Sequence, residues 1–471
     1  MEASSSVGKE VEASSSSKTS FKLRDGFSTR LGVLLATLGS AVGLGNIWKF
    51  PYLTGTGGGA VFIIIYMISV LLIGIPVLVS EHAIGRTARS NAIDSMRKVS
   101  PNKAPWWLIG ALGIVSAFFI MAFYSEVAGW VLAYIPKAFS SSILSTDSNV
   151  TTQAFGSLVS SPGLSILWQA IDLLIVGGIL MFGVSKGIER VTKRLLPLLA
   201  ILLVVVAVRS LTLPGASQGL EFLFKPDFSK VTAATILAGV GLAFFKLSVG
   251  MGTMITYGSY FRSDQNIPTT AVRVALADMS IALLAGIAIF PAVFAYGFQP
   301  NAGPSLLFLT IPSVFASMPA GNVFMVIFFI LTFIASVGAQ VSLLEVPISL
   351  INEKFNLSRK LSTGLATVAL FLVGILPALS NSLLANVKIF GLTFFDLFDY
   401  ATSNIFLPVG GFFICIFVGW IWGRKNFFAA MTNNGELHNE KFVSVIFFLI
   451  RFVSPVLVLL VLLNGLGVFS K

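Results

Sequence analysis

Charge, thiols and imidazoles are all scarce in this chain. Only 11% of its 471 residues are charged, two are histidine (His82 and His438) and one is cysteine. A lone thiol, Cys415, set in an apolar run, excludes an intrachain disulfide and a thiolate metal site. No H-E-x-x-H, no paired histidines and no G-x-S-x-G elbow occur, so the chain offers none of the constellations of an intramembrane enzyme. No soluble enzymatic domain is left over either.

Apolar residues are abundant instead, at 55%. Uncharged runs of about 18 residues or more recur along the length, the signature of membrane-crossing helices rather than of a soluble core or a barrel. About 11 spans are predicted, near 30–54, 60–81, 106–139, 166–184, 194–212, 232–260, 267–297, 320–352, 360–379, 396–422 and 440–465. Two longer connections, 141–165 and 298–319, separate some of them; the second carries Pro300, Pro304 and Pro312 and has room for a short re-entrant helix. Residues 1–20 are Ser-rich and too polar to order themselves, which reads as a disordered tail, and the first apolar run is too long for a signal peptide.

The formal charge of +11 does not point to nucleic acid. On a polytopic protein basic residues mark the cytoplasmic side, and about 22 of the 31 lysines and arginines fall on one side by this span count. That places the amino terminus and the tail in the cytoplasm and, after an odd number of spans in a cell membrane, the carboxyl terminus outside.

Two apolar spans are broken by the same pattern. Ala41-Val42-Gly43-Leu44-Gly45-Asn46 and Ser248-Val249-Gly250-Met251-Gly252-Thr253 each carry G-x-G, and each glycine costs a helix about 1 kcal/mol relative to alanine. Unwinding there releases backbone groups that hydrocarbon tolerates only when protein, ligand or ion satisfies them, so a pair of breaks predicts a mid-membrane binding site. Each break opens a set of about five spans, and an odd number per set inverts the second set relative to the first. The expected fold is all-α: a first repeat over about 30–212, an inverted second repeat over about 232–422 and one extra helix near 440–465, forming one domain over 21–471.

These residues carry a resemblance. Arg30-Leu31-Gly32, the run from Gly39 to Pro51, Gly57-Gly58-Gly59, Gly74-Ile75-Pro76 with Glu81 and Gly85-Arg86, Ser185 to Arg190, and Leu357-Ser358-Arg359-Lys360 closely resemble the neurotransmitter:sodium symporter family. The resemblance implies the fold of the bacterial leucine transporter, alternating access, no organic cofactor, and amino acids or related amines as substrates. It also implies a site. The substrate carboxylate would meet the amides of Leu44 and Gly45 and the hydroxyl of Tyr124. Its ammonium would meet carbonyls such as those of Ala41, Phe245 and Ser248. Ile120, Phe245, Met251, Ala339 and Leu343 would line an uncharged side-chain pocket, which suits neutral apolar amino acids. Lys49 with Asp399 would form the outer gate and Arg24 with Glu353 the cytoplasmic one.

The cation positions depart from the family pattern. At the first, where the family places a hydroxyl and an amide, the resemblance aligns Lys246 and Ala277, while Ala41 and Asn46 remain. At the second, Gly39, Val42 and Ala335 remain as carbonyl donors, but the two side-chain oxygens align with Gly338 and Ala339. Of a chloride site only Tyr66 survives, with Leu242, Lys246, Ala277 and Ile281 at the other positions, so chloride is not expected. Lys246 would repel sodium and put the same sign of charge beside the substrate carboxylate; a proton bound with substrate would then drive transport, and a permanently charged lysine would give a uniporter or exchanger. The alternative pairs Lys246 with an acid such as Asp278 while sodium drives transport elsewhere. Glu81, Glu126, Asp172, Asp278 and Glu345 are further buried ionisable residues, and Glu345 is a candidate proton carrier or an interhelical hydrogen-bonding group. A substrate-sensing receptor would use the same site without transport. The sequence leaves the identity of the amino acid, the coupling ion and the oligomeric state open.

Overall fold

A computed structural model describes residues 26–465, apart from 102–103, 296, 298 and 301–305, together with 468. The Ser-rich tail, Arg24 and the last residues lie outside the described residues. Among those described, nine helices are long and apolar enough to cross a membrane. They are α3 (Ala60–Ala88), α4 (Trp107–Phe139), α5 (Pro162–Leu180), α6 (Val184–Leu211), α9 (Ile267–Ala295), α10 (Gly321–Lys354), α11 (Arg359–Ala378), α12 (Phe394–Met431) and α13 (Glu440–Leu463). Two broken spans complete the set: α1 (Arg30–Ala41) with α2 (Gly45–Thr56), and α7 (Ala233–Lys246) with α8 (Thr253–Gly258).

Four helix starts are marked by a capping side chain. Thr29 accepts from the amide of Gly32 at 2.9 Å and opens α1. Thr232 opens α7, Ser358 opens α11 and Thr393 opens α12 through the same side-chain-to-amide bond. Large apolar side chains such as Leu174, Phe182, Val208, Val368 and Leu372 are exposed, which fits a perimeter solvated by lipid.

The fifth span starts about ten residues earlier than the sequence predicts, at Val184 rather than near 194. Its first turns hold Lys186, Arg190, Lys193 and Arg194, which end an apolar run but not a helix. Glu189 and Lys193, one turn apart, form an ion pair at 2.6 Å that supports the helix there. In the connection expected to hold a re-entrant helix, a short helix spans Leu306–Ala316. It packs on another connecting helix, Ser148–Val159, with Phe155 and Phe308 stacked at 4.9 Å. The long helices α4 and α10 pack against each other, and α1 lies against α6, α9 and α10, so the first break is enclosed by protein.

Candidate functional site

At the first break the axis bends by 45° between α1 and α2. The amides that would close the last turn of α1 are taken by side chains. The amide of Leu44 donates to the Tyr124 hydroxyl at 2.7 Å, and that of Gly43 points to Asn46 Oδ1 at 3.4 Å. The carbonyls of Gly39 and Ser40, one turn earlier, are thereby released. Ser248 Oγ donates to the Ser40 carbonyl at 2.9 Å, tying the two breaks together.

The second break owes more to backbone conformation. Between α7 and α8, Ser248, Gly250 and Gly252 adopt φ of 52°, 78° and 72°, a region glycine enters without steric cost. Gly250 is further constrained, because a Cβ there would lie 2.6 Å from the Leu407 carbonyl. Its amide donates to the buried Glu81 carboxylate at 2.7 Å.

Between the breaks lies a nearly closed cavity with only about 20 Å³ of room for the centre of a water-sized sphere, far below the volume of an open ligand pocket. The first break contributes Ser40, Ala41, Gly43 and Gly45; the second contributes Phe245, Lys246, Ser248 and Met251. Ile120 and Tyr124 of α4 and Ala339 and Leu343 of α10 close the sides. Every substrate-binding residue expected from the sequence lines this cavity except Leu44, whose amide is bound to the Tyr124 hydroxyl at its edge.

Lys246 is also half of an ion pair. Its Nζ lies 3.1 Å from Asp278 Oδ2 of α9, and both side chains are 0% exposed. Asp278 is otherwise well held: Tyr66 donates to Oδ2 at 2.9 Å and Asn46 Nδ2 donates to Oδ1 at 2.8 Å. Lys246 is not. Its ammonium makes no well-aligned hydrogen bond among the described residues and faces the rings of Tyr66 and Phe50, at 4.8 and 5.1 Å. Three donors therefore meet one acceptor, beside the cavity between the breaks.

The model of the sodium:neurotransmitter symporter family matches residues 24–154 and 149–471. A sodium-dependent transporter of uncharacterised function from Bacillus subtilis, YhdH, is 38% identical over 94% of this chain and 98% of its own length. One from Haemophilus influenzae is 35% identical over 95% and 99%. The crystal structure of MhsT in complex with L-phenylalanine superposes with a TM-score of 0.89 at 41% identity, covering 94% of this chain and all of that one. The chain belongs to the sodium:neurotransmitter symporter family. Its fold is the all-helical leucine-transporter fold, an inverted five-plus-five repeat with one further helix, and it is an integral membrane protein of a transporter family.

Within this symporter fold the first cation position needs a correction. The sequence match set Ala277 against it, but Ala277 is only half-buried on α9, and it is the fully buried Asp278 that meets Lys246. One residue of helix is about 100° of rotation, so a one-residue slip turns the wrong side chain inward. Asn46, expected as an ion ligand, donates its amide hydrogens to Asp278, and its oxygen faces Gly43.

At the second position the backbones of α1 and α10 come close. A Cβ on Gly338 would lie 2.7 Å from the Gly39 carbonyl, and one on Gly43 would lie 2.7 Å from Ala339 Cβ and 3.6 Å from the Ala335 carbonyl. The carbonyls of Gly39 and Ala335 thus stay near the break, while neither Gly338 nor Ala339 supplies a side-chain oxygen. Among the described residues no cluster of histidine, cysteine and acidic side chains could hold a metal ion.

The outer pair is formed: Lys49 Nζ lies 2.7 Å from Asp399 Oδ1 and 3.1 Å from Ser403 Oγ, above the ring of Phe245 at 4.3 Å. Of the expected cytoplasmic pair, Arg24 lies outside the described residues, and Glu353 accepts from the Asn91 amide at 2.8 Å. Glu345 is fully paired. It takes a bidentate contact from Arg359, with Nη1 at 2.7 Å from Oε1, and a hydrogen bond from Tyr260 at 2.6 Å. A carboxylate so fully paired suits the hydrogen-bonding alternative for Glu345 better than proton carriage. Nearby, Arg30 reaches Asp264 at 2.7 Å, and this bond together with that from Arg262 holds the exposed Asp264 carboxyl below its ordinary range.

Proposed function

We propose that this chain is a secondary active transporter of neutral, mostly apolar amino acids, working by alternating access, in which Lys246 takes the place of the first sodium ion. The observation that carries the reading is the double position of Lys246, paired with Asp278 and lining the cavity with unfilled donors. A substrate carboxylate is the acceptor that geometry lacks. At 4 Å its attraction to the ammonium is about 4 kcal/mol for an effective dielectric of 20, before desolvation. Lys246 and Asp278 sum to zero and a zwitterionic substrate adds zero, so the loaded site is neutral without an inorganic cation. Apart from Ser40, Tyr124 and Ser248 the remaining wall is apolar, and the structural neighbour MhsT holds L-phenylalanine, which favours apolar side chains.

Conventional sodium-driven symport is the second reading. The relatives' description as sodium-dependent transporters and the released Gly39 carbonyl at the second position favour it. Uptake of radiolabelled leucine into proteoliposomes separates the two, with sodium replaced by choline at fixed pH. The first reading expects uptake to persist in choline and to be lost or to become sodium-responsive in Lys246→Thr. Strict sodium dependence of the unaltered protein would defeat it, and preference for dicarboxylic or cationic amino acids would defeat the substrate class.

The basic residues support a cytoplasmic amino terminus and an external carboxyl terminus. A cysteine introduced at the exposed Thr146, between α4 and α5, should then react with an impermeant maleimide added to intact cells. Native Cys415 is buried and should stay silent. Labelling of Thr146→Cys only after the membrane is opened would reverse the orientation.

A further inference from the structure

A second set of buried polar groups lies where α5 packs against α4 and α10. Asp172 of α5 is 0% exposed, and its Oδ1 accepts from Gln340 Nε2 of α10 at 2.9 Å. The other oxygens of this pair, Asp172 Oδ2 and Gln340 Oε1, are both buried and both without a hydrogen-bond partner. No lysine, arginine or histidine among the described residues forms an ion pair with Asp172. From α4, the titratable Tyr124 and Glu126 stand near it. From α10 come Gln340 and, 3.3 Å from its amide nitrogen, the Ser336 hydroxyl. The neighbouring α11 meets α5 with neutral groups, Thr367 beside Gly177 and the Gly374 carbonyl on Gln169.

An ionised carboxylate held by one neutral donor in a membrane interior is strongly disfavoured. A proton on Asp172 Oδ2 changes this: the acid O–H donates to Gln340 Oε1 while Gln340 Nε2 donates to Oδ1, and one proton satisfies both orphaned atoms. Asp278 and Glu345 need none, being held by Lys246, Tyr66 and Asn46 and by Arg359 and Tyr260. Glu81 also has an oxygen without a partner, but its donor, the Gly250 amide, offers no acceptor in return. Glu126 accepts from the Trp130 indole at 2.6 Å, a donor that can take nothing back.

We propose that Asp172 and Gln340 form a proton-binding site, which takes up one proton as the acid–amide pair closes and releases it when the cavity opens. The site stands one side chain behind the cavity. Gln340 directly follows the cavity residue Ala339, and Tyr124, which faces Asp172, is itself a cavity wall. The reaction balances as a carboxylate plus a proton giving a carboxylic acid, with no other reactant. It rests on the transporter reading and not on Lys246, and it gives the chain a coupling ion whichever way the two cation positions behave.

The test uses the full chain reconstituted in proteoliposomes. Infrared spectra should show a protonated buried carboxyl in the unaltered protein that is missing in Asp172→Asn and shifted in Gln340→Leu. An inward proton gradient should drive accumulation of labelled leucine, and Asp172→Asn, which keeps an amide pair with Gln340 but cannot exchange a proton, should lose that accumulation by about tenfold or more while still exchanging leucine at equal pH. Absence of the infrared band overturns the proposal, as does accumulation by Asp172→Asn equal to that of the unaltered protein. If leucine is not transported at all, the transporter reading fails on its substrate, while the infrared comparison still decides whether Asp172 holds a proton. If Asp172→Asn does not fold, Gln340→Leu carries both readouts.

Discussion

Two places beside the first break, which the resemblance sets at the family's cation positions, differ in what surrounds them. At the first, an ammonium and a carboxylate, both fully buried, stand 3.1 Å apart. At the second, neither Gly338 nor Ala339 carries a side-chain oxygen, and a Cβ on Gly338 would meet the Gly39 carbonyl at 2.7 Å. On the proposed reading, a tethered pair brings its own neutrality. A stripped position must borrow every ligand from the backbone. The difference teaches that one pocket can carry a charge written into the chain next to a place that still depends on what the helices expose.

The largest effect that would break this contrast lies in the pair. Lys246→Met should leave Asp278 buried without its cation and cost about 3–5 kcal/mol in thermal unfolding of the detergent-solubilised protein. Adding Asp278→Asn should return most of that loss, because the remaining partners Tyr66 and Asn46 can bond to a neutral amide. A single variant as stable as the double one would mean that the pair is not electrostatically coupled.

A smaller effect measures how tightly the second position is closed. Gly338→Ala must push its methyl against backbone, which should cost about 1–3 kcal/mol by overpacking. Gly45→Ala is the control at the first position, where the nearest atom is the Lys246 Cγ at 3.4 Å, an ordinary contact. Equal unfolding temperatures for the two variants would show that the second position has room that the close approach denies.

Much of this was legible in the chain and some was not, for local and non-local reasons respectively. The breaks show because two glycines in an apolar run are a local signal. Lys246 shows because an ammonium in mid-span has nowhere to snorkel. Asp278 was visible as a buried acid, but the family match put its neighbour Ala277 at the site, since a linear match does not fix which way a helix faces. Glu345 was visible too. Its partner Arg359 lies beyond the end of α10 and the turn at Asn356, so only the path of the backbone brings them together. The acid–amide pair of Asp172 and Gln340 joins residues 168 apart on separate helices, and neither carries a motif.

The smallest predicted effect concerns Ala339, where the family match expects one of the two missing oxygens. Ala339→Ser adds a single hydroxyl to a cavity wall beside Gly43 without burying a new charge, so unfolding should change by less than about 1 kcal/mol. Its value lies in the response to sodium. A hard cation is held by several oxygens at once, and one restored hydroxyl joins only the backbone carbonyls near the break, with Gly338 still unable to contribute. Leucine affinity in Ala339→Ser should therefore shift by no more than about twofold between sodium and choline, well under the tenfold that 1.4 kcal/mol would give. A tenfold gain in sodium would mean that the second position lacked a single ligand, that the carbonyls of Gly39 and Ala335 already form most of a cation site, and that the close approach of α1 and α10 leaves an ion-sized space after all.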